Sequence, residues 1–209
     1  MLLQLPRHRH LDLSRPKVMG ILNITPDSFS DGGRFIGKDA ALAEARAMLA
    51  AGAAILDIGG ESTRPGAEEV SVQQELDRVL PVIEAIRSEL DCVISIDTCK
   101  SQVMKEAVAA GADIINDIKA LLDHGAVEVA AAAQVPVCLM HMQGQPRTMQ
   151  HSPLYQDVVK EVGDFLQQRA EVCIAAGIPK SQIILDPGFG FGKSLQHNYQ
   201  LLSQLSDLL

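Results

Sequence analysis

The stretch "LDPGFGFG" at 185–192 sets an acid, Asp186, at the end of an apolar run and follows it with a proline, three glycines and two phenylalanines. Glycines there let a flat ligand approach the backbone, while Phe189 and Phe191 can wall it in. A carboxylate beside a flat pocket suits a two-donor edge, such as an amide N–H next to an exocyclic amine, at about 1.5–3 kcal/mol per charge-assisted hydrogen bond. Capping the next helix or pairing with a core arginine are equally good uses of Asp186 taken alone. Similar polar groups close other apolar runs: Asn23, Asp57, Asp97 in "SIDTCK", Asn116 in "INDI" and His141. Asp97 by itself reads as an N-cap ahead of "TCKSQV", and Asn116 as a turn residue. Two carboxylates and an amide converging from neighbouring elements describe a pocket for a polar heterocycle better than a hydrolytic dyad. No serine nucleophile elbow or HExxH zinc motif competes.

Two loops carry further chemistry, "NITPDSFSDGGRF" (23–35) and "GGESTRPGA" (59–67). Both are rich in Gly, Pro, Ser and Asp, the composition of exposed segments with charged tips. Thr63 and Arg64 suit an anionic leaving group, the Asn23 carbonyl suits a metal, and Phe29 and Pro65 suit the cover of a second ligand. For either loop alone, a surface turn with incidental charges is the simpler reading.

These groups need a frame to hold them. Six short apolar runs, at 18–24, 54–60, 92–97, 113–118, 136–141 and 182–186, read as strands buried on both faces. Between them lie Ala-rich, helix-period stretches such as "KDAALAEARAMLAAGA" and "SVQQELDRVLPVIEAIRSEL". Glycines at 52, 111 and 177 precede strands, as expected where each helix ends. Alternating strand and helix predicts a parallel α/β architecture. An open doubly wound sheet also fits, but no GxGxxG follows the first run. Polar groups at the C-terminal ends of six successive strands favour a (β/α)8 TIM barrel, which builds one site at its top.

The 209 residues are 47% hydrophobic and 21% charged, enough for one core, and the net charge of −8 argues against nucleic-acid binding. No apolar span reaches membrane length and no signal-peptide core is present, so a cytoplasmic protein without membrane contact is expected. Cys92, Cys99, Cys138 and Cys173 lack metal-ligand spacing and read as buried free thiols. His8 and His10, on a polar arm spanning 1–17, read as solvated; residues 18–209 form the barrel domain.

Together "GILNITPDSFSDGG", "GGESTRPGA", "ISIDTCK", "IINDI", "CLMHMQGQPRTMQ" and "LDPGFGFGK" resemble the dihydropteroate synthases, the folate-pathway transferases that sulfonamides inhibit. The resemblance runs from about Leu13 onward. It implies a (β/α)8 barrel condensing 6-hydroxymethyl-7,8-dihydropterin diphosphate with 4-aminobenzoate to 7,8-dihydropteroate and diphosphate. By the same resemblance Asp97, Asn116 and Asp186 hold the pterin edge as the catalytic groups, and Met140 and Gly190 line its cavity. Asn23 helps bind Mg2+ and diphosphate with Thr63 and Arg64 nearby, and Phe29, Pro65 and Phe191 contact the aminobenzoate. A homodimer is implied as well.

Only six βα units are recognisable, against the eight of a closed barrel, so truncation before strands 7 and 8 is expected, with sheet edges exposed at both ends. The family's Ser-Arg-Lys motif and its late Arg and His do not occur. A non-catalytic pterin-binding fragment, or the pterin domain of a methyltetrahydrofolate-corrinoid methyltransferase, are the alternatives. The latter would not be expected to carry "TPDSFSDGG" and "ESTRPGA" together.

Overall fold

Valine and isoleucine crowd five of the six apolar runs, and all six become parallel strands, four of them with three or more buried positions. The computed structural model describes residues 1–25, 33–62, 69–145 and 148–208, the side chains of 33–36 excepted. Its main sheet contains β3 (Met19–Asn23), β4 (Ile55–Gly59), β5 (Val93–Asp97), β6 (Ile114–Asp117), β7 (Val137–Met140) and β8 (Ile183–Asp186), side by side in that order. All five pairings are parallel. Each strand falls inside its expected run. Among the described residues the sheet does not close on itself, and β3 and β8 are its edges.

Helices α1 (Gly33–Ala50), α2 (Val72–Glu89), α3 (Ser101–Ala110), α4 (Ala126–Ala133), α5 (Val158–Ala175) and α6 (Leu195–Ser203) alternate with these strands. Ser71 and Gln74 form a capping box that starts α2, while Pro81 is tolerated inside it on the exposed face. Gly52, Gly111 and Gly177 all have positive φ after helix ends, as the sequence pattern implied.

Period-2 alternation sorts the strand residues onto two faces. Leu56, Ile58, Ile94, Ile96, Ile115, Val137 and Leu139 pack toward the helices in the main core. Ile55, Val93 and Ile114 point the other way and meet Leu3, Leu5 and Leu11. Those leucines belong to an antiparallel hairpin, β1 (Leu2–Leu5) with β2 (Arg9–Asp12), lying at the N-terminal end of the sheet. The segment 1–17 is therefore not simply a polar arm. Alternate leucines of a short hairpin bury one face as a floor, while His8 and His10 stay exposed. Because β3 and β8 each have one neighbour, Ile21 and Leu185 remain exposed, unlike the interior strands.

Candidate active site

Above the apolar floor, the inner face turns polar within one strand step. In register, Ile21, Asp57 and Ser95 lie side by side, and Asp97, Asn116, Cys138 and Ile184 form a second row. Met140 pairs with Asp186 at the upper rim. The structure thus brings Asp97, Asn116 and Asp186 together at the C-terminal end of the sheet, as their places at the run ends implied, with Met140, implied by the family resemblance, beside Asp186.

Asn23 ends β3 opposite Gly59, whose bare backbone separates it from Asp97. A Cβ on Gly59 would stand 3.6 Å from Asn23 Oδ1 and 3.4 Å from Asp97 Oδ2. Asp97 does not cap α3: Lys100 occupies the cap position and makes no side-chain cap bond. Asn116 donates from Nδ2 to Asp57 Oδ2 at 3.0 Å. Asp186 serves two ends at once, since its Oδ1 accepts from Gly188 N at 2.7 Å while its carbonyl accepts from His141 N at 3.0 Å.

The electrostatics here are one-sided. Burial, and then the neighbouring charges of Asp57, Asp117, Glu75 and Glu61, hold the Asp97 carboxyl well above the usual carboxylate range. Burial also raises Asp57, with Ser95 and Asn116 opposing the shift. Among the described residues no ion pair reaches Asp57, Asp97 or Asp186. Lys100 is turned instead to Glu61 and Glu75, the latter at 2.5 Å. Glu61 also accepts from Val70 N at 3.1 Å, and Arg78 donates to Gly60 O at 2.7 Å, so both stems flanking 63–68 are tied down. Cys138 lies beside this acidic group, which together with burial raises its thiol; it is free, as are the other three cysteines.

The glycine-rich loop after β8 is positioned by the lysine that follows it, which no pattern in the sequence marks. Lys193, 3% exposed, donates from Nζ to the carbonyls of Gly188, Phe191 and His141 at 2.9, 3.0 and 3.1 Å, and lies 3.0 Å from His141 Nδ1. Burial lowers its ammonium to about 8 and, with Lys193 beside it, lowers His141 to about 4, so the imidazole is neutral near pH 7. The loop packs backbone on backbone: a Cβ on Gly188 or Gly192, both at positive φ, would run into the carbonyl oxygen of His141 or Gln143. Tyr155 and Gln150 hold the carbonyls of Gly192 and Gly190, and Asn198 accepts from Gly190 N. Phe191 is half-buried, whereas Phe189 is exposed. For Asp57, an acid inside "AILDIGG", in phase with Gly59, is the signal in the sequence that marks it. Phe29, Thr63, Arg64 and Pro65 lie outside the described residues.

Acceptor groups set side by side at the strand ends, next to a bare glycine-rich backbone, suit a flat, donor-rich heterocycle. The family model described as pterin binding enzyme matches residues 19–209. The chain belongs to the dihydropteroate synthases of the pterin-binding enzyme family. A Haemophilus influenzae dihydropteroate synthase is 59% identical over 197 residues, 94% of this chain and 72% of that protein. A Yersinia pestis dihydropteroate synthase solved with a sulfonamide drug superposes with a TM-score of 0.92 at 59% identity, over 100% of this chain and 75% of that one. The Xanthomonas albilineans enzyme in complex with 7,8-dihydropteroate gives 0.88 at 47% identity, over 100% and 73%. These relatives make the fold that of a TIM-barrel enzyme, of which the described sheet shows six parallel strands. No helix among the described residues is long and apolar enough to cross a membrane.

Proposed function

We propose that the polar upper layer of this pocket holds the pterin of the synthase reaction, with Asp97, Asn116 and Asp186 at its donor edge and Met140, Gly190 and Phe191 around its ring. The enzyme is a transferase of folate biosynthesis that joins 6-hydroxymethyl-7,8-dihydropterin diphosphate to 4-aminobenzoate, giving 7,8-dihydropteroate and diphosphate. The observation that carries the residue assignment is the register that sets Asp97 beside Asn116 and Met140 beside Asp186 on one face.

The C–O bond from the pterin methylene to diphosphate breaks, and its electron pair leaves with the diphosphate. The methylene cation is delocalised into the pterin ring, and its positive charge draws the raised Asp97 carboxyl to its ionised form, which stabilises it. The aniline nitrogen of aminobenzoate then forms the new C–N bond and loses a proton. Thr63 and Arg64 are proposed to meet the diphosphate, and Phe29 and Pro65 the aminobenzoate.

Mg2+ fits the oxygen donors present. Asn23 Oδ1 and Asp97 Oδ2 flank the bare Gly59, and among the described residues no cluster of three acidic, His or Cys groups could hold a metal. The remaining ligands would come from diphosphate and water, the usual habit of this cation. When bound beside Asn23 it would offset charge developing on the leaving diphosphate. A cytoplasmic homodimer working on these small molecules completes the proposal.

Calorimetric titration with the pterin diphosphate tests the pocket. Asp186→Asn should weaken binding by about 10-fold or more, the scale of one charge-assisted hydrogen bond. Wild-type affinity in that variant would remove Asp186 from the site.

A further inference from the structure

Asp57 sits one step below the pterin-facing groups and takes no part in the reaction above. It is 4% exposed, and its Oδ2 accepts from Asn116 Nδ2 at 3.0 Å. Its Oδ1, and the Oγ of its register partner Ser95, have no hydrogen bond of normal geometry among the described residues. A buried carboxylate oxygen left without a partner costs stability. Ser95, on the neighbouring strand, opposes the rise of the Asp57 carboxyl, and the group that Asp57 holds by a hydrogen bond of normal length is the Asn116 amide.

That orientation has a chemical consequence. An ionised carboxylate only accepts hydrogen bonds, so the amide of Asn116 turns its NH2 toward Asp57 and leaves its carbonyl oxygen as the outward group. With Asp186, and with Asp97 in its ionised form, the heterocycle then meets acceptors only. Were residue 57 an amide, it could offer either end, and Asn116 could invert to present a donor.

We infer that Asp57 is a positioning residue: its hydrogen bond to the Asn116 amide fixes the pocket edge as all-acceptor and so selects a 2-amino-4-oxo heterocycle over its 2-oxo counterpart. This rests on the pterin reading of the site. The two ligands differ at position 2, a donor amine in pterin and an acceptor oxygen in lumazine, and at N1, a bare acceptor in pterin that carries a proton in lumazine.

The test measures pterin and lumazine affinity for the full chain and for Asp57→Asn, a near-isosteric change, alongside thermal melting. The variant should melt no lower than wild type, lose roughly 10-fold in pterin affinity, and narrow the pterin-to-lumazine ratio by about the same factor. Asn116→Ala should narrow the ratio too, and adding Asp57→Asn to it should change the ratio no further. Equal weakening of both ligands, an unchanged ratio, or additive effects in the double variant would overturn the inference while leaving the pterin site in place. Wild-type protein that binds neither ligand would instead overturn the pterin reading, and this inference with it.

Discussion

Two ends of one sheet bury carboxylates in opposite ways. At the floor, Asp113 has no exposed side-chain surface and collects Arg7 at 2.6 Å, Arg87 at 2.5 Å, Arg9, and the backbone N–H of Ile94 at 3.0 Å. At the top, Asp57 and Asp97 are similarly withdrawn from water but face other acids, and no described cation answers them. Burial is common to both; pairing is not. A paired buried acid anchors the fold, whereas an unpaired one is held against its own solvation and keeps its affinity for an incoming donor or cation. The division follows the barrel rule that the N-terminal face serves stability and the C-terminal face chemistry.

The largest expected effect lies at the floor. Asp113→Ala should cost about 3–5 kcal/mol in chemical denaturation, because it strands three arginines, two of them mostly buried. Folded protein should keep its pterin affinity. A loss below about 1 kcal/mol would mean that water already satisfies the floor and that the contrast is false.

Asp97→Asn should act the other way. Turnover should fall roughly 100-fold, the scale of a removed transition-state contact, with a smaller loss in pterin binding; equal losses would indicate a binding role alone. The same variant should melt higher than wild type, and by more at pH 8 than at pH 5. The folded carboxyl is raised above its unfolded value, so between the two the folded state holds the extra proton, and stability falls as pH rises through that window. Replacing the acid removes that loss. A variant with no thermal gain at pH 8 would show that the top is not electrostatically strained.

Lys193→Met should have a more modest effect, weakening pterin binding by roughly 10-fold as three loop carbonyls lose their common donor. Hydrogen exchange should quicken at Gly190 and Phe191 more than in β5; uniform quickening would mean a global rather than local role. The smallest change is Arg7→Gly. Arg7 is 45% exposed at its side chain and sits at φ 60 within the hairpin turn, so losing its ion pair and relieving the backbone should nearly cancel, within about 1 kcal/mol.

The six strands and the site groups at their ends were legible because they are local facts. An apolar run of five residues, an acid or amide as its last member and a glycine-rich stretch after it depend on neighbours in the chain, and period 2 assigns their face. Asp97, Asn116 and Asp186 could thus be set at the ends of neighbouring strands from the sequence, whereas Met140 came only with the family resemblance. The hairpin floor could not, since a four-residue strand with alternate leucines, Leu3 and Leu5, reads the same whether docked or free. Arg7 and Asp113 are 106 positions apart and meet only because β1 and β2 fold under the sheet. Lys193 stands next to its loop in sequence, yet its partner His141 arrives 52 positions away through the β7–β8 pairing. The sequence by itself determined which residue types end each strand. Only the tertiary structure decided which acids found a cation, because pairing is settled by strand register and packing between distant segments, and that difference separates the part of this protein that holds it together from the part that does chemistry.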